Sequence, residues 1–191
     1  MALPPLVLAS SSPRRLMLLG QLGITPARVV SPDIDETPLR DELPRPYAQR
    51  MARAKAAAVS EPGCFVLAGD TVVAVGRRIL PKAETEKEAR SCLALLSGRR
   101  HRVLTGIALT APDGQTRERL SETIVTFNRL TPQQTEAYVA SGEWHGKAGG
   151  YAINGLAASF VRFLSGSYSG VVGLPLFETA QLLRGCGWPV P

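Results

Sequence analysis

The sequence is short of the residues that announce a metal centre or a disulfide scaffold. Its 191 residues hold three cysteines and two histidines. Cys64, Cys92 and Cys186 are widely spaced, with no CxxC pair and no Cys/His zinc spacing, so neither a disulfide framework nor a zinc knuckle is indicated. They read as buried, reduced thiols. His101 and His145 have no partners at ligand spacing and read as structural or surface side chains. Aromatic residues make up 6% of the chain, and none lies in a basic stripe that would stack bases, so nucleic acid is not an expected partner. No apolar run approaches the roughly 18 residues of a membrane span, and no membrane partner is expected. Residues Met1 to Ala9 lack a basic region and carry Pro4 and Pro5, unlike a signal peptide; the expected location is the cytoplasm. A GxSxG elbow, an HExxH helix, a GxGxxG opening a helix and a Glu-rich Nudix-like helix are all missing.

What is present is an ordinary globular composition, 45% hydrophobic and 20% charged. The length suits one domain over residues 1–191, built as two lobes sharing a core. A chain of that size buries roughly 70% of its unfolded surface and needs no covalent staple. The 22 Lys and Arg against 16 Asp and Glu leave a net charge of +6, which points to a polyanionic partner without saying whether it is nucleotide, nucleic acid or lipid.

Short β-like runs alternate with helical ones. Leu6 to Ala9 reads as a strand; Ser12-Pro13 opens a helix to Leu22 with Leu16, Leu19 and Leu22 on one face, ended by Gly23. Ala27 to Ser31 reads as a strand, Pro32 to Pro46 as a loop, and Tyr47 to Ser60 as a helix with Met51, Ala54 and Ala58 at core spacing. Cys64 to Val75 is a buried strand interrupted at Gly69-Asp70. Capping boxes at Thr85/Glu88 and Thr131/Gln134 open helices to Leu96 and Ser141. Arg102 to Thr110 and Glu118 to Phe127 form a hairpin about Pro112-Asp113-Gly114. Strand-like Phe160 to Leu164, a turn at Gly166 to Gly170 and a helix from Pro175 to Arg184 complete the chain. The pattern predicts an α/β fold with a mixed twisted sheet and flanking helices.

Three places could carry chemistry. Ser10-Ser11-Ser12-Pro13-Arg14-Arg15 lies where a strand ends and a helix begins, a junction that presents free N–H groups and the positive helix end to an anion. Two arginines in a first turn oppose the helix dipole unless an anion joins them. Asp33-Ile34-Asp35-Glu36 is an acidic loop run. Gly69-Asp70-Thr71 places a carboxylate within the most apolar strand, which is costly unless it is paired, metal-bound or facing a cleft. The lysines Lys55, Lys82 and Lys147 are isolated in sequence, and the Gly146-Lys147 segment fails the P-loop spacing.

These residues carry a resemblance. Ser10 to Leu19, Asp35-Glu36, Arg50 to Ala56, Ala68 to Val73, Lys147 to Ile153, Gly166-Ser167-Tyr168 and Val172 to Leu176 resemble, in order, the Maf family of nucleotide pyrophosphatases. The resemblance implies hydrolysis of a nucleoside triphosphate to the monophosphate and pyrophosphate, with Mg²⁺ or Mn²⁺ as the divalent cofactor. It implies two lobes around a central cleft, similar to inosine triphosphate pyrophosphatases, a homodimer, and a house-cleaning role against misincorporation. Asp70 falls on the family's catalytic aspartate and Glu36 on an acidic residue of the same site; both are assigned to catalysis and to the metal. Ser10, Arg14, Arg15, Lys55, Thr71, Lys82 and Asn154 are assigned to the substrate. Thr71 and Lys147 to Tyr151 resemble the dTTP/UTP branch more than the 7-methyl-GTP branch. Asn154 departs from that branch's Gln, and Ala83 from the Pro that follows the lysine. Independently of the family, a triphosphate with about four negative charges calls for several cations, Arg as forks and Lys as point charges. The competing expectation is a non-catalytic septum or cell-division regulator, or a nucleic-acid-binding protein.

Overall fold

A computed structural model describes residues 3–190. In chain order the elements are β1 (Leu6–Ala9), α1 (Pro13–Gln21), β2 (Arg28–Val30), α2 (Pro44–Ala58), β3 (Phe65–Val75), β4 (Arg78–Leu80), β5 (Lys82–Ala83) and α3 (Glu86–Leu96). They continue with β6 (Arg100–Thr110), β7 (Thr116–Phe127), α4 (Pro132–Ala140), β8 (Lys147–Ala148), a 3-10 turn (Leu156–Phe160), β9 (Val161–Ser165), α5 (Tyr168–Val172) and α6 (Leu176–Gly185). The main sheet runs β2-β1-β3-β6-β7-β9, with β4 also paired to β3; β5 and β8 form a separate two-stranded sheet. β1 is parallel to β2 and β3, while β3, β6, β7 and β9 pair antiparallel, so the sheet is mixed.

The long central strands are sandwiched. Leu6, Leu8 and Leu67 join Leu18, Leu19, Leu93, Leu96, Ile107, Leu182 and Leu183 in the larger core. The alternate residues Val7, Ala9, Val66, Ala68 and Ala108 meet Ala52 and Ala56 of α2 on the other face, as the two-residue period of a strand requires. The small side chains on that face let α2 lie unusually close. At Gly106 the approach is extreme, because a Cβ there would sit 2.5 Å from the Ala48 carbonyl oxygen.

Both capping boxes form as the sequence predicts, Thr85 with Glu88 and Thr131 with Gln134. Other expectations need correction. The buried positions of α1 are Leu18 and Leu19; Leu16 is exposed and Leu22 only packs against the core's margin. Ser12 occupies the N-cap position without a side-chain cap bond. α2 starts three residues earlier than Tyr47, since Pro44 and Pro46 fall in a first turn whose N–H groups have no helical partner anyway. β3 is not interrupted at Gly69-Asp70, because Gly69 pairs with Ile107 and Asp70 with Gly106 across β6. The turn after Gly166 contains the short helix α5, capped by Ser167.

One gap in the sheet positions the site. Along one edge of β3, β1 pairs with residues Phe65 to Ala68 and β4 with Val73 to Val75. Residues 69–72 lie between these neighbours, so the sheet edge opens beside Asp70 and Thr71, where β1 ends and α1 begins.

Candidate active site

Asp70 is 4% exposed and Lys55 5% exposed. Lys55 comes from the buried face of α2, one turn beyond Met51, and α2 can deliver it because Gly106 lets the helix settle against the sheet. The Lys55 ammonium donates to Asp70 Oδ1 at 2.6 Å and pairs with Glu36 Oε1 at 2.9 Å. Glu36 reaches in from the loop between β2 and α2, and its other oxygen pairs with Lys82. A chain of alternating charges, Asp70–Lys55–Glu36–Lys82, therefore joins four segments. Burial pushes the Glu36 carboxyl upward, but hydrogen bonds from Lys82 and Lys55 outweigh it and hold the group below the usual range. Tyr47 donates its hydroxyl to the Glu36 backbone carbonyl at 2.7 Å. Burial, with Asp70 and Glu36 nearby, pushes that phenol up to about 12, so it remains a donor.

Arg15 forms the second framework. Its Nε donates to the Gly173 carbonyl at 2.8 Å, Nη1 to Ser10 Oγ at 3.3 Å and Nη2 to Thr71 Oγ1 at 3.3 Å. The Ser10 hydroxyl also accepts from the Ser12 N–H at 3.1 Å. Thr105 donates one bond within this group: its hydroxyl lies 3.0 Å from Thr71 Oγ1 and 2.8 Å from the Gly170 carbonyl. Burial lowers the Arg15 guanidinium pKa, an effect the charges of Asp70 and Glu36 counter in part. Arg14 is half-buried beside it, and burial lowers its pKa as well.

Ser10, Arg14, Arg15, Glu36, Lys55, Asp70 and Thr71 line a cleft of about 290 Å³ that also takes in Lys82, Lys147, Tyr151 and Asn154. All nine residues assigned from the sequence thus face one cavity, contributed by the β1–α1 junction, the β2–α2 loop, α2, β3, β5 and the segment after β8. Several of them also have protein partners. Lys55 engages two carboxylates, and Arg15 spends three donors on protein oxygens. Asn154 is exposed and makes no side-chain hydrogen bond among the described residues. Lys147 fits no phosphate-loop spacing, yet turns at Gly146, Gly149 and Gly150, all with positive φ, carry it into the cleft. Its pKa is lowered by burial and by Arg14. A Cβ at Gly149 would lie 2.8 Å from Val73, so glycine is required there for close approach as well as for φ. Sequence spacing gave no hint of the Gly173 carbonyl.

His101 is fully buried, with Nε2 2.9 Å from the Tyr151 hydroxyl and its ring edge-on to Tyr151 and Phe127. Burial pushes its pKa down to about 4, so it is neutral and structural. His145 lies on the surface near Glu84. All three cysteines are free; Cys64 and Cys92 are buried and Cys186 partly so.

The profile of a family described as "Maf-like protein" matches residues 5–186. The chain belongs to the Maf family. Among Maf relatives, the dTTP/UTP pyrophosphatase of Novosphingobium aromaticivorans is 64% identical, over 98% of this chain and 94% of that protein. The dTTP/UTP pyrophosphatase of Caulobacter vibrioides is 63% identical over 97% of each chain. Of solved structures, a HAM1 protein from Coxiella burnetii superposes with a TM-score of 0.50 at 18% identity, covering 94% of this chain and 98% of that one, a likeness of fold. The mixed α/β Maf fold seen here therefore extends to Ham1-like proteins. No helix among the described residues is long and apolar enough to cross a membrane.

The chemistry of the donor set fits a Mg²⁺ or Mn²⁺ ion shared with substrate. Asp70 and Glu36 converge on one ammonium, so their oxygens face the same small volume. Among the described residues no group of three His, Cys, Asp or Glu could cage a metal. A hard cation that keeps most of its waters needs only one or two carboxylates plus phosphate oxygens.

Proposed function

We infer that the protein is a nucleoside triphosphate pyrophosphatase that hydrolyses dTTP, UTP or modified pyrimidine analogues to the monophosphate and pyrophosphate. The observation that carries the reading is the buried Asp70 carboxylate, held by Lys55 at the open edge of β3 and faced by Arg14, Lys82 and Lys147 across one cleft. The names of relatives more than 60% identical support the same reaction and the same bases.

In this reading Arg14, Lys82 and Lys147 neutralise the triphosphate, and the Ser10-to-Pro13 turn offers it the positive end of α1. Arg15 keeps Ser10, Thr71 and the Gly173 loop in register around it. Lys55 engages Asp70 Oδ1 and leaves Oδ2 to accept a hydrogen bond from the water that attacks the α-phosphorus. With one oxygen held by Lys55, the carboxylate has its other oxygen to orient that water and receive its proton. Asp70 and Glu36 would hold the divalent ion, whose chemistry is to offset charge on the phosphate oxygens. The bond broken joins the α-phosphorus to the oxygen bridging to the β-phosphorus, and pyrophosphate leaves with that oxygen. Asn154 sits at the cleft's rim within reach of the nucleoside end. We extend the proposal to one domain with two lobes around the cleft, a homodimer, a cytoplasmic location and a house-cleaning role.

A metal-dependent screen for pyrophosphate release over dTTP, UTP, CTP and GTP tests this. dTTP and UTP should lead, and Asp70→Asn should abolish turnover while retaining the fold. Release of orthophosphate and a diphosphate would move the cut and overturn the proposal.

A further inference from the structure

The net charge of +6 is not spent at the cleft. Arg77 and Arg78 lie at the β3–β4 turn, Arg99 and Arg100 at the start of β6, Arg129 just after β7 and Arg162 at the start of β9. In sequence they are scattered across residues 77–162. The antiparallel order of β3, β6, β7 and β9 puts the end of one strand beside the start of the next, so all six arrive at a single end of the sheet. The register is explicit: Arg100 lies opposite Thr126, and Thr126 lies opposite Phe163. Across the turn, the Gly98 N–H donates to the Asn128 carbonyl at 2.9 Å, next to Arg129.

All six are exposed, and none makes an ion pair among the described residues. By contrast, Arg28, Arg45, Arg50, Arg53 and Arg90 each have a carboxylate. Glu122 of β7 is engaged by Arg45 and Arg102 instead. Adjacent strands are about 4.8 Å apart, so the end of β4-β3-β6-β7-β9 spans roughly 20 Å. Six unneutralised cations over that span repel one another and are matched by a linear polyanion with regularly spaced charges. Every member is Arg, whose planar fork suits phosphate. Phe163, 57% exposed, shares a register row and therefore a sheet face with Arg100 through Thr126.

We propose that this end of the sheet binds single-stranded nucleic acid, with Arg77, Arg78, Arg99, Arg100, Arg129 and Arg162 on successive phosphates and a base stacked on Phe163. The surface is separate from the cleft: along β3, Asp70 and Val75 are five residues apart, about 17 Å of strand. The exposed aromatic among the cations favours a single strand, whose bases are free to stack, over a duplex.

Fluorescence anisotropy of a labelled 20-nucleotide oligo-dT with the whole protein tests the proposal, beside a duplex of equal length and phosphatidylserine vesicles. Six phosphate contacts predict a slope of log K against log salt near −4, about a 250-fold loss between 50 and 200 mM salt. Arg99→Gln with Arg100→Gln should lower the slope by about 1.4. Phe163→Ala should weaken the single strand about tenfold or more and leave duplex binding nearly unchanged. Pyrophosphate release should be unaltered in these variants, and Asp70→Asn should bind the oligonucleotide normally, which separates this proposal from the catalytic one. No binding at 50 mM salt, binding unaffected by the arginine variants, or a preference for duplex or vesicles overturns it.

Discussion

Replacing Lys55 with Met isolates the electrostatics of the site from its packing. Methionine has nearly the volume of the lysine stem, so the substitution removes the ammonium and adds little cavity or overpacking cost. What remains is the Asp70 carboxylate, 4% exposed, with its 2.6 Å partner gone. Breaking a buried ion pair from one side costs about 3–5 kcal/mol, because the surviving charge stays desolvated. For a chain of this length each kcal/mol moves Tm by about 2–4 °C, so Lys55→Met should melt roughly 6–20 °C lower. Asp70→Asn should cost less, about 1–2 kcal/mol, since Lys55 retains Glu36 at 2.9 Å. The asymmetry makes the double variant the decisive measurement: Lys55→Met with Asp70→Asn should be more stable than Lys55→Met alone. Urea unfolding followed by the fluorescence of the buried Trp144 reads all three variants. If the double variant loses the sum of the two single losses, Lys55 and Asp70 are not energetically coupled and the account of the site fails.

His101 offers a pH test. Its pKa falls from 6.5 to about 4 on folding, so the unfolded chain binds the proton first as pH drops; stability should decline from about pH 6.5 to 4 by about 3 kcal/mol. His101→Gln should flatten that slope in pH-dependent melts. Glu36 is held below its ordinary 4.5, so its contribution is present above that value and is lost as pH falls through the lower folded value. Activity of the wild type should drop over the same acid range, while Glu36→Gln should be weakly active at every pH in the pyrophosphate assay. Gly106→Ala drives a Cβ to within 2.5 Å of the Ala48 carbonyl oxygen and must lift α2; circular dichroism should show a loss of several °C in Tm, with activity reduced as Lys55 withdraws. Lys147→Ala should raise KM for the triphosphate about tenfold or more with the fold unchanged, the loss of roughly 1.5 kcal/mol or more that a charge-assisted contact supplies.

Local signals were the legible ones. The capping boxes, Pro13 at the head of α1 and the hairpin turn at Pro112-Asp113-Gly114 each depend on residues a few positions apart, and each forms. Asp70 stood out because a carboxylate within an apolar strand must have a reason to be there. Its partner did not, since Lys55 lies in an Ala/Arg-rich helix whose burial depends on the glycine at 106. Helical spacing in α1 allows several leucine stripes, and only the position of β1 and β3 selects Leu18 and Leu19. α5 was hidden by its brevity and by Gly170, and its bonds to Thr105 and Ser167 are what stabilise it. The arginine end of the sheet was invisible for a topological reason: strand order, not sequence order, assembles it.

The bond from Arg15 to the Gly173 carbonyl closes a loop of 158 residues. During synthesis the first strand and helix leave the ribosome long before the segment that completes their cleft. A nascent chain stopped before residue 146 can pair β1, β3, β6 and β7 and carry Asp70, Lys55 and Glu36, but it has neither Lys147 nor the Gly173 carbonyl. The pocket is complete only when about the final quarter of the chain has been made and has docked, so the full set of cleft residues cannot assemble on a shorter nascent chain.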